Sequence, residues 1–427
     1  MKGKKPYILL SLLLCISVIL YGCSTGSSGS SDDSGKVTLE WWSHDNPSFV
    51  AANKKFIADY EKENPNIKIK LQIFPYDAMM QKLKAAYAGK NPPDLAQVFG
   101  SWVPEYAKNG LLSEVSPVDS EWVKDNFYEP SLGSYSIGDK VFGIPHEYNL
   151  ENGGILAHPE MFEKANVEYP ENWEQLLDVA QKLTIRDGDK IKVKGFEFVS
   201  SDNVMFTLFS LILQQNGTYL TEDGHLNLSS PEAITAMTEL KKFVTDYKIT
   251  DLLGFGETES QDMFFKKQAA MVIRGPWTIG VGRDNYKTDD FDYIPMPSFT
   301  DNPPYFAAES GWGEIVAGQS KHQQEAWDFV KYMAESDQAK FFNLTTLSVP
   351  ANKSVAEDPS FLEEAPLMKA SLDVLQYGQF IGEGIDTDYL KKQLNDNFQL
   401  IATEKLSVEE GLKKTEEAVN KMMDKQK

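Results

Sequence analysis

The sequence predicts an α/β body whose parallel strands are covered by helices, long enough to form two lobes or domains. Two observations carry this. Residues 36–99 alternate in the order β-α-β-α-β, which implies a largely parallel sheet with crossover helices. Roughly 390 residues remain after an N-terminal export and tether segment, more than one hydrophobic core usually serves.

The elements follow in order. Lys36 to Trp42 alternates polar and apolar residues like a strand. Asn46-Pro47 is a helix start, with Asn as N-cap and Pro at the first helical position. Phe49, Ala52, Phe56, Ile57 and Tyr60 then share one helical face, and Asn64-Pro65-Asn66 ends the helix. Ile67, Ile69, Leu71 and Ile73 alternate with polar residues, a half-buried strand. A helix runs from about Asp77 to Ala88, and Asp94 to Phe99 is a short buried strand. Farther on, Val141 to Pro145 reads as a strand and Asn172 to Leu183 as a helix. Met205 to Leu213 is almost wholly apolar and predicts a buried helix. Pro231 to Tyr247 and Gln323 to Ala334 are amphipathic helices. Ser407-Val408-Glu409-Glu410 is a capping box that opens a last helix carrying Leu412, Ala418, Val419 and Met422 on one face.

The first residues form a basic cap, and Tyr7 to Leu20 is apolar. That run is short for a membrane span and has the charge layout of an export signal. It ends at Leu20-Tyr21-Gly22-Cys23, which resembles a bacterial lipobox. The resemblance implies cleavage after residue 22 and diacylglycerol on Cys23. Residues 23–35 are rich in Ser and Gly, a flexible tether spanning on the order of 20 Å. The chain has only two cysteines, Cys15 and Cys23. Loss of the first and acylation of the second would leave a body without thiols, which excludes disulfide scaffolds, Cys-ligated metals and thiol nucleophiles. The net charge is -21, and removal of Lys2, Lys4 and Lys5 makes it more negative. Such a body is repelled by nucleic acid and by anionic lipid, so attachment to a membrane must be covalent.

Several segments together resemble the extracellular solute-binding proteins of ABC importers, in the sugar-binding branch related to maltose-binding protein. They are Phe56 to Ile67, Pro92 to Leu95, Tyr106 to Leu112, Val141 to Pro145, Met161 to Val167, Asn172 to Leu177, Ala269 to Trp277 and Ala326 to Tyr332. Their order and spacing cover nearly the whole body. The resemblance implies a two-lobed Venus flytrap fold with hinge crossovers and ligand in the cleft. It places residues 36–147 and 306–345 in an N-terminal lobe, and 148–305 and 346–427 in a C-terminal lobe. It also implies a monomeric receptor, lipid-anchored at the extracytoplasmic face of the cell membrane, that hands a carbohydrate, an oligosaccharide in particular, to a permease. Lobe closure would bury the ligand, which shifts the open–closed balance by binding the closed form better.

Ligand sites in open α/β sheets lie at the carboxyl ends of strands. That rule singles out Trp42, His44 and Asp45 after the first strand, and Ser101 and Trp102 after the strand ending at Phe99. Glu147, Tyr148 and Asn149 lie at the proposed crossover, Arg274 and Trp277 at a further turn, and Glu309 and Trp312 beside a strand returning to the first lobe. Tryptophan offers a rigid apolar plate for the C–H face of a pyranose, and Asp, Glu, Asn and Arg engage its hydroxyls. Trp41 and Trp42 point to opposite faces, and the pattern leaves open which is inward. Arg274 can serve a hydroxyl or an acid. No histidine has metal-ligand spacing, and no cofactor or metal is expected. No nucleophile-elbow, P-loop or His-Glu-x-x-His motif is present, so a binding protein is preferred to an enzyme. The alternatives are a surface glycosidase using two carboxylates, or a receptor for a peptide or polyamine.

Overall fold

The structure is a computed structural model that describes residues 36–427 except 199–201, 256, 257 and 427. The export segment, Cys23 and the tether lie outside the described residues.

The first elements are β1 (Val37–His44), α1 (Pro47–Glu63), β2 (Ile67–Phe74), α2 (Tyr76–Ala88) and β3 (Leu95–Phe99). Strand β1 pairs in parallel with both β2 and β3, with Leu39 beside Ile69 and Trp41 beside Leu95. A five-stranded sheet results, in the order β2, β1, β3, Trp312–Val316, Gly143–Pro145. The parallel pattern stops at β3. Trp312–Val316 runs antiparallel to β3, and Gly143–Pro145 runs antiparallel to that strand. These strands lie far from residues 36–99 in sequence, so no short crossover helix dictates their direction.

Helix α1 begins as its sequence directs. Asn46 accepts a hydrogen bond from the Ser48 amide at 3.0 Å, and Pro47 follows it. Its buried face carries Phe49, Ala52, Phe56 and Tyr60. They join Leu39, Trp41, Ile69, Phe329 and Val330 in a core behind the sheet. Burial of each such large side chain contributes about 1.5–3 kcal/mol. A polar chain also runs through this core. Asn53 Nδ2 donates to Ser43 Oγ and Ser43 Oγ donates to Gln97 Oε1, both at 2.9 Å. Gln97 Nε2 and Trp41 Nε1 then donate to the Glu314 carboxylate at 3.1 and 2.9 Å. A buried carboxylate is tolerated only when its oxygens are met in this way. The network ties β1, β3 and Trp312–Val316 together beneath the carboxyl ends of β1 and β3, where the amino end of Trp312–Val316 also lies.

The second sheet has Ile155–Ala157 at its centre, flanked antiparallel by Met271–Ile273 and Asp292–Ile294. Helix Asn203–Gln214 is buried along its whole length, which explains its lack of a polar face. The capping box forms: Ser407 Oγ accepts from the Glu410 amide and Glu410 Oε2 accepts from the Ser407 amide, each at 3.1 Å. Among the described residues, no helix is long and apolar enough to cross a membrane.

A third sheet of Tyr148–Asn149, Phe306–Ser310 and Gly378–Phe380 links the two bodies of core. The chain passes from Gly143–Pro145 in the first sheet to Tyr148–Asn149 in the third. Alongside it, Phe306–Ser310 in the third sheet continues through Gly311 into Trp312–Val316 in the first. A further stretch joins them where Glu147 bridges Pro350 and the Tyr148 amide donates to the Val349 carbonyl. Gly311 is required by proximity: a Cβ there would lie 2.4 Å from Glu147 Cγ and 2.9 Å from the Glu147 carbonyl oxygen. The fold is the two-lobed α/β class with crossing strands that the sequence predicts.

Candidate ligand-binding cleft

The ends of β1 and β3 open onto a cavity of about 390 Å³. From the first sheet and its helices it is lined by His44, Ser48, Phe49, Tyr76, Phe99 and Trp312. From the crossing strands come Glu147, Asn149 and Glu309, and from the second body Glu151, Asp202, Trp277, Asp388 and Lys391. The volume lies at the lower end of the range for small-molecule sites, about 300–1,000 Å³.

Trp312 is the hub of an aromatic cluster. His44 stacks on it with ring centroids 3.9 Å apart and planes 9° apart, and Phe99, Tyr76 and Trp102 meet it edge-on or nearly so. Burial pushes the His44 imidazole down to about 4, against a hydrogen bond with Gln97 that raises it. His44 is therefore a neutral ring at physiological pH, suited to stacking rather than to carrying charge. Trp312 remains half-buried, so part of its surface faces the cavity. Trp277 is the other indole there. Its Nε1 donates to Glu151 at 3.0 Å, and the Arg274 guanidinium lies over its ring, 5.0 Å from the centroid.

Below these plates lies a charged network. Arg274, 3 % exposed, reaches Asp202 at 3.2 Å, Glu259 at 2.9 Å and Glu151 at 3.8 Å. Lys391 reaches Asp202 at 3.2 Å and Glu309 at 3.6 Å. Burial opposes the charge on Arg274, but Glu151, Asp202 and Glu259 outweigh it and hold the guanidinium ionised. Burial likewise opposes the charge on Lys391, and Glu309 and Asp202 raise it strongly. Burial alone would lift the Asp202 carboxyl, yet Lys391 and Arg274 hold it below its ordinary value. Glu151 ends up raised: desolvation exceeds the opposing field of Arg274. Glu147 is pushed up to about 7 by burial, although the Trp312 amide donates to its Oε1 at 3.1 Å.

The sequence profile of the bacterial extracellular solute-binding proteins matches residues 45–340. The chain belongs to this family. It is 26% identical over 351 residues to an arabinooligosaccharide-binding protein of Bacillus subtilis, covering 78% of this chain and 77% of the relative. Its fold is similar to that of an ABC substrate-binding protein from Listeria monocytogenes in complex with cycloalternan (TM-score 0.74, 22% identity, 91% of this chain and 99% of that one). It is also similar to a maltose/maltodextrin-binding domain from Bdellovibrio bacteriovorus bound to maltotriose (TM-score 0.72, 19% identity, 91% and 100%). The family is extracellular, and its described members here are binding proteins rather than enzymes.

Of the residues expected at this family member's site, His44, Glu147, Asn149, Trp277, Glu309 and Trp312 line the cavity. The others stand apart from the lining, each for a local reason. Trp41 is the fully buried member of its pair, and Trp42 turns to the opposite face to pack edge-on against Phe74. Asp45 is exposed beyond the end of β1. Ser101 and Trp102 belong to a helical turn after β3, and Trp102 is buried behind Tyr76 and Trp312. Tyr148 points into the core between Tyr128 and Phe306, on the strand face opposite to Glu147 and Asn149. Arg274 faces acids, which decides between its two readings.

The sequence reading missed Tyr76, Glu151, Asp202, Asp388 and Lys391. Tyr76 was within reach of the strand-end rule, since it follows the end of β2. Asp388 and Lys391 sit in the first turns of helix Thr387–Ala402, where a charged residue reads as a solvated face. Nothing local marks them as cavity residues.

Proposed function

We propose that this protein captures a carbohydrate, a short oligosaccharide in particular, between its lobes and delivers it to the membrane subunits of an ABC importer. The observation that carries the reading is the lining itself. Trp312 enters the cavity from the first sheet and Trp277 from the start of helix Trp277–Val281, and buried carboxylates lie beside both. Indole plates match the C–H faces of pyranose rings, and carboxylates accept hydrogen bonds from the hydroxyl rim. The naming of the relatives and of the neighbours' ligands agrees with it. We assign ligand contact to His44, Glu147, Asn149, Trp277, Glu309 and Trp312. We assign support of that layer to Trp102 and Arg274, which touch Trp312 and Trp277, and no ligand contact to Trp42, Asp45, Ser101 and Tyr148.

In this reading the lobes comprise residues 36–147 with 306–345, and 148–305 with 346–427. The change of sheet at Gly311 supports moving the second boundary to that residue. The protein works as a monomer without catalysis, tethered through a lipid on Cys23 at the outer face of the cell membrane. A leash suits a receptor that must meet its permease repeatedly.

A thermal-shift screen against mono- and oligosaccharides tests the proposal. A specific ligand at 100 times its Kd adds about 2.7 kcal/mol of stability. Stabilisation by peptides or polyamines alone would refute the carbohydrate assignment. Product formation on long incubation with an oligosaccharide would refute the non-catalytic one.

A further inference from the structure

The cavity is unbalanced in charge in a way that a neutral sugar leaves uncorrected. Glu147, Glu151, Asp202, Asp284, Glu309 and Asp388 line it, and among the described residues the only lysine or arginine in that lining is Lys391. Part of this excess is neutralised from behind. Arg274 serves Asp202 and Glu151, Lys391 serves Asp202 and one oxygen of Glu309, and Arg283 pairs with Asp284. Among the described residues, two buried carboxylate oxygens accept no hydrogen bond. Glu309 is 2 % exposed, and its Oε1 has no hydrogen-bond partner among the described residues. Glu151 is 6 % exposed, and its Oε2 accepts no hydrogen bond, although Arg274 lies 3.8 Å from it. Native proteins rarely leave a buried acceptor unsatisfied, and an orphaned carboxylate oxygen at a cavity wall marks where a ligand donor is needed.

The lining is also divided by chemistry. His44, Tyr76 and Trp312 come from the first sheet and its connections, and His44 is a stacked ring in that wall. Glu151, Asp202 and Asp388 come from segments beyond the crossing strands, together with the Trp277 indole that donates to Glu151, and Glu309 lies on the crossing strand itself. A ligand seated on the aromatic wall therefore presents its other side to carboxylates. An ammonium group supplies three donors and one positive charge there, whereas a hydroxyl supplies one donor and no charge.

We infer that the cleft is selective for sugars carrying a free amino group, held by Glu309 and Glu151 against the aromatic plates. This rests on the carbohydrate reading and narrows it to a substrate class. Acetylation of the amine removes the charge and adds bulk, so the N-acetyl sugar is discriminated against. The Lys391 charge is balanced by Asp202 and by Glu309 Oε2, which leaves Glu309 Oε1 as the oxygen open to the amine.

The test uses matched trios of sugars that differ at one carbon: amine, acetamide or hydroxyl. Gluco- and galacto-configured monosaccharides and disaccharides are titrated calorimetrically against the protein and against Glu309→Gln and Asp388→Asn, each first checked for parental thermal unfolding. The amine member is expected to bind at least tenfold tighter than both others, a difference of about 1.4 kcal/mol. Glu309→Gln is expected to remove most of that preference, and Asp388→Asn, at an exposed position that should not disturb folding, to reduce it by severalfold. Equal or tighter binding of the hydroxyl or acetamide member overturns the selectivity and leaves the carbohydrate reading standing. Binding of no sugar in any trio by the folded parent overturns both.

Discussion

Glu147 lies where the crossing segments meet. Its backbone bridges Pro350, its Oε1 accepts from the Trp312 amide, and its Cγ leaves no room for a Cβ at Gly311. Burial raises its carboxyl from 4.5 to about 7. The native state therefore holds this proton more tightly than the unfolded chain. Its contribution to stability is fully present below about pH 4.5, and it is lost as pH rises through 7. A displacement of this size, at about 1.36 kcal/mol per unit, corresponds to about 3 kcal/mol. Glu147→Gln keeps the oxygen that accepts from Trp312 and removes the titration. The variant is expected to be close to the parent at pH 4.5 and more stable than it by about 3 kcal/mol at pH 8, where the parent carries a poorly solvated charge. Urea unfolding of the unliganded protein at steps between those limits measures the difference. Subtraction of the two curves cancels other groups, including His44, whose lowered value works in the opposite sense: its stabilisation is lost as pH falls from 6.5 through about 4. If the difference between variant and parent changes by less than about 0.5 kcal/mol across this range, within the usual scatter of surface substitutions, the burial argument fails.

Trp312→Ala should weaken sugar binding by about 2 kcal/mol, roughly 30-fold, because it removes the hub of the aromatic wall. Calorimetry giving parental affinity in a folded variant would refute the site. Arg274→Gln should destabilise the fold by about 3–5 kcal/mol, since Asp202, Glu151 and Glu259 lose a shared buried partner. A denaturation midpoint equal to the parent's would mean that solvent already serves those acids. Gly311→Ala should cost about 1–3 kcal/mol by forcing Glu147 away, measured by the same unfolding assay. Cys23→Ala should release the protein from membranes, with fractionation and mass spectrometry of the N-terminus as readouts. An anchored variant would rule out the lipid on that residue.

Wherever a pattern repeats along the chain, the sequence alone determined the outcome. The alternation of Ile67 to Ile73, the cap at Asn46-Pro47, the apolar run in Asn203–Gln214 and the capping box at Ser407 each state a local preference, and each element forms accordingly, although Ile73 near the end of its strand is exposed. Reading the residues at strand ends found His44, Glu147, Glu309 and Trp312 for the same reason: strand ends are local events, and the crossing strands bring those of two sheets to one cavity. Only the tertiary structure could choose between faces. Trp41 and Trp42 are equivalent on the page, yet the buried Glu314 from a strand far along the chain claims the Trp41 indole and turns Trp42 away from the cavity. Lys391 and Asp388 read as a solvated helix face, yet packing of their helix beside Asn203–Gln214 brings them to the cleft. Periodicity reports which residues share an element's face. It carries no information about which distant carboxylate that face will meet, because that contact is made by chain folding across hundreds of residues.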